Sequence, residues 1–282
     1  MIEFNKTSEY LVCVDSDGTI MDTMTIKHVR CFGPKFIEIF NIKDHKEEIL
    51  NYWVDINLYQ KTRGINRFEG LILALKYAFA FGYKLDGFEK LEEWVLNTKE
   101  FSEALLQAEI LKNPANPALN LAILWSKEVN KAIKELPLTT TFSGVKETIK
   151  KYYKEVDFVG VSSANKQAVM EEWQREELLD KFKAVGCQDS GSKTQIIKDA
   201  LIKGYDKKKT LMIGDAIGDY KAALNNGVYF FPIIPKMEEY SWKKLQEEGL
   251  LKLINNQFND DYQKILIDEF LSKLGGENLW NY

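Results

Sequence analysis

Five short apolar runs must meet in one sheet, yet residues 26 to 135, which hold no strand candidate, separate the first run from the other four. The runs are LVCV at 11–14, VDFVGV at 156–161, FKAVG at 182–186, TLMIG at 210–214 and GVYFF at 227–231. Their unbroken apolar character fits strands covered on both faces, which is the condition of a parallel sheet. From residue 142 onward these runs alternate with segments of helical period, the pattern of successive βαβ units. The intervening block, including FEGLILALKYAFAFG and PALNLAILWSKEVNKAIKEL, repeats its apolar residues at helical spacing. NPANP at 113–117 breaks it as a loop. The chain is therefore expected to be α/β, a three-layer, doubly wound, Rossmann-type parallel sheet interrupted by an α-helical insert.

The expected boundaries are 1–24 and 137–235 for the α/β core and 25–136 for the insert, with Pro137 and Gly144 punctuating the return. Residues 236–282 read as a C-terminal helical extension packed on the core. The balance of 38 basic and 42 acidic residues, with no long basic tract, excludes a phosphate-tracking surface and hence nucleic acid as a partner. No apolar stretch approaches the roughly 18 residues of a membrane helix, and MIEFNKTSEY lacks a signal-peptide pattern, so a cytoplasmic protein without a membrane partner is expected. Cys13, Cys31 and Cys187 are far apart and form no metal or disulfide pattern. With only two histidines in the chain, the chemistry must rest on carboxylates.

Ligands of an open parallel sheet bind beyond the carboxyl ends of its strands. At those ends stand Asp15-Ser16-Asp17-Gly18-Thr19, then Ser162-Ser163, then Asp215 followed by Asp219; Lys193 lies at the mouth of a helix between the last two strand ends. Clustered acids with hard oxygen donors suit Mg²⁺, which also accepts phosphate oxygens. One carboxylate can act as nucleophile, a second as acid and base, and a lysine can neutralise the transferring phosphoryl group. The residues also admit plainer roles: Ser162 and Ser163 fit a helix cap, and Lys193 a solvated surface.

In order and context, DSDGTIMD, VGVSS, Lys193 and IGDAIGD resemble the four motifs of the haloacid dehalogenase superfamily. The resemblance implies Asp15 as the phosphorylated nucleophile, Asp17 as general acid/base, Ser162 as the phosphate-binding second motif and Lys193 as the third. Asp15, Asp17, Asp215 and Asp219 would hold Mg²⁺, while Gly18, Thr19 and Ser163 would assist phosphate binding. Asp17 matches the phosphatases and phosphomutases; dehalogenases lack an acid there and phosphonate hydrolases carry a small residue. The insert resembles a C1-type cap, and RGINRFEGLILAL resembles the β-phosphoglucomutase-like cap segment, with Arg67 holding a substrate anion. Where mutases place a histidine, this chain has Lys27 followed by His28.

The resulting expectation is a Mg²⁺-dependent phosphatase acting on a small phosphorylated metabolite, with sugar phosphates among the classes considered. The alternatives are a sugar phosphomutase and a non-catalytic binding protein on the same fold. Monomer and homodimer both remain open.

Overall fold

The computed structural model describes residues 2–98 and 101–275. It divides into two compact units, one made of residues up to Met24 together with those from Leu138 onward, the other spanning Thr25–Pro137.

In the first unit the described strands are β1 (Tyr10–Val14), β2 (Val156–Val161), β3 (Phe182–Gly186), β4 (Thr210–Gly214) and β5 (Tyr229–Pro232). All neighbours pair in parallel, in the order β3-β2-β1-β4-β5. β1 is thus central, and the connections leave it toward opposite edges, which makes its carboxyl end the switch point of the sheet. Val12 and Val14 join Phe158, Leu211 and Ile213 in the core on one face; Leu11 and Cys13 join Val159, Val161 and Met212 on the other. This two-residue alternation explains why the strands read as continuous apolar runs.

The last strand starts later than the apolar pattern predicts. Gly227, at φ 68°, closes the preceding helix Ile217–Asn226 with a left-handed residue, so the extended segment begins two residues further on. Beyond β5, Trp242, Leu245, Leu250 and Leu253 pack on the first face of the sheet, and Ile267 and Phe270 on the second. Burying each such side chain contributes about 1.5–3 kcal/mol.

The Thr25–Pro137 unit is helical throughout its regular elements, around a core that includes Phe36, Trp53, Leu71, Leu75 and Trp125. The 113–117 segment is a turn only as far as Asn116. Pro117 opens the helix Pro117–Lys134, because the first helical position needs no N–H and Asn116 caps it by accepting from the Leu119 N–H. No helix among the described residues is long and apolar enough to cross a membrane.

The amino end of the sheet is tied by one buried acid. Asp157 accepts from the Thr7 N–H (2.7 Å) and hydroxyl (2.6 Å), the Ser8 N–H (2.8 Å) and the Tyr205 hydroxyl (2.5 Å). Burial alone would raise its pKa, but these donors bring it below the usual carboxylate range. Asp157→Asn is expected to lower stability by about 2–4 kcal/mol at pH 7, since it removes the charge and confronts the donors with an N–H₂ group. A group whose folded pKa is depressed stabilises above its unfolded value, about 3.9, and loses that contribution as pH falls through the folded one. Urea unfolding should therefore show the gap between wild type and variant narrowing below about pH 4. A gap independent of pH would contradict the ionised state.

Candidate active site

β1 and β4 lie side by side with Val14 opposite Ile213, and the Asp15 N–H continues the ladder by donating to the Ile213 carbonyl at 3.0 Å. Asp15 and Asp215 therefore emerge at adjacent strand ends. Asp219 stands in the first turn of the helix Ile217–Asn226, where its Oδ2 accepts from the Ala216 N–H at 3.1 Å. Each of these three buried acids can offer an oxygen within 4.8 Å of the other two.

Gly214 allows this approach. A Cβ at that position would lie 2.3 Å from Asp219 Cγ, a distance no side chain could accept.

Lys193 opens the helix Lys193–Leu201, capped by Ser192. Its Nζ lies 2.8 Å from Asp15 Oδ1 and 2.6 Å from Asp219 Oδ1. Burial works against its charge, yet Asp15 and Asp219 outweigh burial and raise its pKa above the ordinary lysine value. The acids respond in kind. Burial pushes the Asp15 pKa well above the carboxylate range, with Asp219 and Asp215 adding to the rise and Lys193 opposing it. Asp219 is raised as well, first by burial and then by Asp215, again against Lys193. The Lys193 ammonium thus touches two of the three buried carboxylates. Buried charge left uncompensated is costly, and an all-oxygen set of this kind fits a hard divalent cation.

The loop after β1 is closed by its own backbone: Ile20 and Met21 N–H groups both donate to the Ser16 carbonyl at 2.9 Å. Gly18 takes φ 79° and gives its N–H to the Met21 carbonyl at 2.9 Å. Thr19 is fully buried and donates its hydroxyl to Asp215 Oδ1 at 2.7 Å. These placements differ from the expected phosphate contacts at Gly18 and Thr19: the first N–H closes the turn, and the threonine holds a carboxylate. The Asp17 carboxylate accepts a hydrogen bond from the Thr23 hydroxyl.

Ser162 follows β2 on the other flank of β1. It is buried, and its Oγ accepts from the Ala164 N–H at 3.1 Å. Ser163 is exposed. Neither serine caps the next helix, Lys166–Arg175, because Asn165 does so by accepting from the Ala168 N–H. Arg67 belongs to the helical unit, where it donates to Asn130 Oδ1 (2.7 Å) and Ser126 Oγ (3.3 Å) and lies over the Phe32 ring. The structure thus unites Asp15, Lys193, Asp215, Asp219 and Thr19, while Arg67 is engaged by its own unit.

Several supports escaped the sequence reading. Trp173 Nε1 donates to Ser16 Oγ at 3.0 Å, and Trp242 Nε1 to the Thr19 carbonyl at 2.9 Å, so two distant indoles fasten the first-motif loop. Neither tryptophan is distinguishable in sequence from a core residue. Gly214 was legible in principle, because a glycine between a strand and an acid often marks close backbone approach.

Residues 96–233 match the family model of haloacid dehalogenase-like hydrolases. Over that segment the chain resembles the haloacid dehalogenase superfamily. The matched segment contains Ser162, Lys193, Asp215 and Asp219, whereas Asp15 reaches Lys193, Asp215 and Asp219 through the pairing of β1 with β4. Two solved structures share the superfamily fold. A haloacid dehalogenase-like family hydrolase from Streptococcus pneumoniae is 10% identical, with 83% of this chain and 90% of that one covered and a TM-score of 0.51. A predicted phosphoglycolate phosphatase from Haemophilus somnus is 14% identical, with 80% and 86% covered and a TM-score of 0.50. No curated protein matches the sequence.

Proposed function

We propose that this chain is a haloacid dehalogenase-superfamily enzyme, a Mg²⁺-dependent phosphatase of small phosphorylated metabolites that works through a phosphorylated Asp15. The observation that carries the reading is Lys193 bridging Asp15 and Asp219 beside Asp215, with a second acid, Asp17, two residues beyond the nucleophile. Asp15, Asp215 and Asp219, with the Asp17 backbone carbonyl, would hold Mg²⁺. When bound, the ion supplies charge neutralisation at the phosphoryl oxygens.

In the first half-reaction an Asp15 oxygen attacks phosphorus and the ester P–O bond breaks. The leaving alkoxide takes the Asp17 proton, and the Lys193 ammonium balances charge on the phosphoryl group. In the second half-reaction Asp17, now a carboxylate, takes a proton from water as the water oxygen attacks phosphorus. The bond to Asp15 then breaks, releasing inorganic phosphate and restoring both acids. Ser162 would hydrogen-bond the phosphoryl group between these steps. The Thr25–Pro137 unit would act as the cap that selects the substrate, with Arg67 as a candidate anion contact.

The test is phosphate release from a panel of sugar phosphates, short acid phosphates and an aryl phosphate, with Mg²⁺ and after chelation. Release that requires Mg²⁺ is the expected result, with one phosphate per ester consumed. Conversion of a sugar phosphate to its isomer without release would instead establish a mutase. Binding of the esters with no turnover would establish a non-catalytic protein.

A further inference from the structure

The two chain crossings between the units run beside each other within the α/β unit. Met21 faces Thr141 in an antiparallel bridge, flanked by Asp22 N–H to Thr140 O (3.1 Å) and Phe142 N–H to Ile20 O (3.0 Å). The outgoing crossing is also the segment that holds Asp17, through the Gly18 N–H on the Met21 carbonyl and the Thr23 hydroxyl on the carboxylate. Whatever fixes the returning crossing therefore fixes the loop that presents Asp17.

Two side chains at the end of the helix Lys166–Arg175 do so. Arg175 Nη2 donates to the Thr139 carbonyl at 2.7 Å. The next residue, Glu176, is 6% exposed, and the Thr141 N–H is among the groups that lower its carboxyl pKa against the effect of burial. Lys146 Nζ lies 2.8 Å from Glu176 Oε2, and Arg175 Nε lies 3.6 Å from Oε1, so the buried charge is compensated. A buried carboxylate with a paired cation and a backbone donor is a rigid fixture, since removing either partner exposes a desolvated charge or an orphaned N–H. Its helix begins at Lys166, three residues after Ser163, so a single helix separates the second motif from the residues that grip the crossing.

We propose that Arg175 and Glu176 are positioning residues for Asp17, latching the returning crossing at Thr139 and Thr141 and thereby holding the acid/base loop in register. The inference rests on the acid/base role given to Asp17 above. It goes beyond that role in assigning a catalytic consequence to a pair that touches no substrate.

Leaving-group dependence separates this role from a general structural one. An alkyl phosphate needs a proton on its departing oxygen, whereas p-nitrophenyl phosphate does not. In the full chain with Mg²⁺, Glu176→Ala and Arg175→Ala are expected to lower kcat/KM, which reports the phosphorylation of Asp15 and not the water step that both esters share, by about tenfold or more for an alkyl phosphate and by less than about threefold for p-nitrophenyl phosphate. Glu176→Gln, which keeps an acceptor for the Thr141 N–H, is expected to recover most of the loss. Equal losses on both esters, or none on either, would overturn the latch while leaving the phosphatase reading intact.

Amide hydrogen exchange gives a second readout that needs no turnover. Glu176→Ala should release protection at Gly18, Asp22 and Phe142 while β4 amides stay protected; unchanged or uniformly lost protection would overturn the latch. A wild type that releases phosphate from neither ester would overturn the phosphatase reading and the catalytic role of the latch together.

Discussion

Asp15→Asn is expected to abolish phosphate release, with kcat falling by at least about three orders of magnitude on every ester that wild type accepts. The amide keeps the shape of the carboxylate, and its oxygen can still accept from Lys193 Nζ, which lies 2.8 Å from Asp15 Oδ1. What it loses is the anionic oxygen that attacks phosphorus. Burial and the neighbouring acids already disfavour the Asp15 charge, so the variant should melt at or above the wild-type temperature. Steady-state phosphate release paired with a thermal melt checks both halves. A variant that turns over like wild type would remove Asp15 as nucleophile; one that is inactive and unfolded would show that the loss came from the fold.

Lys193→Met should carry the largest stability effect. The substitution leaves Asp15 and Asp219 facing each other in a buried site without the ammonium that now touches both. Breaking a buried ion pair by removing one partner costs about 3–5 kcal/mol. For an α/β unit of this size that lowers Tm on the order of 10 °C. The companion variant Lys193→Met with Asp219→Asn should recover much of the melting temperature, because one unpaired charge is gone, without recovering turnover. Calorimetry without added divalent cation is the measurement. A single variant as stable as wild type would mean that the acids are satisfied by something other than Lys193.

Asp15, Asp215 and Asp219 come together for a reason that lies in the sheet. A residue directly following a buried strand has one place to go, the carboxyl edge, so Asp15 and Asp215 could be placed together once their strands were known. Lys193 could be placed near them because a helix connecting two successive parallel strands of one sheet must begin at that edge. Thr19 shows a limit of the resemblance: it implied a phosphate contact there, and packing turns the hydroxyl onto Asp215. Gly18 differs similarly, because its left-handed turn spends the N–H on Met21. Arg67 was read from a short motif, and its guanidinium is held by Asn130 and Ser126 of its own unit.

By itself the sequence determined the α/β class, the membership of the first strand in the sheet of the later ones, the helical character of the block between them and the acids at the strand ends. These follow from local periodicity and from the rule that parallel strands bring their carboxyl ends to one edge. Tertiary structure alone decided what holds those acids in place. Trp173 and Trp242 reach Ser16 and Thr19 across 157 and 223 residues of chain, and Arg175 and Glu176 grip the returning crossing. Such contacts obey no local period, because a hydrogen bond from a distant side chain depends on where two elements come to rest and leaves no trace in the spacing of either.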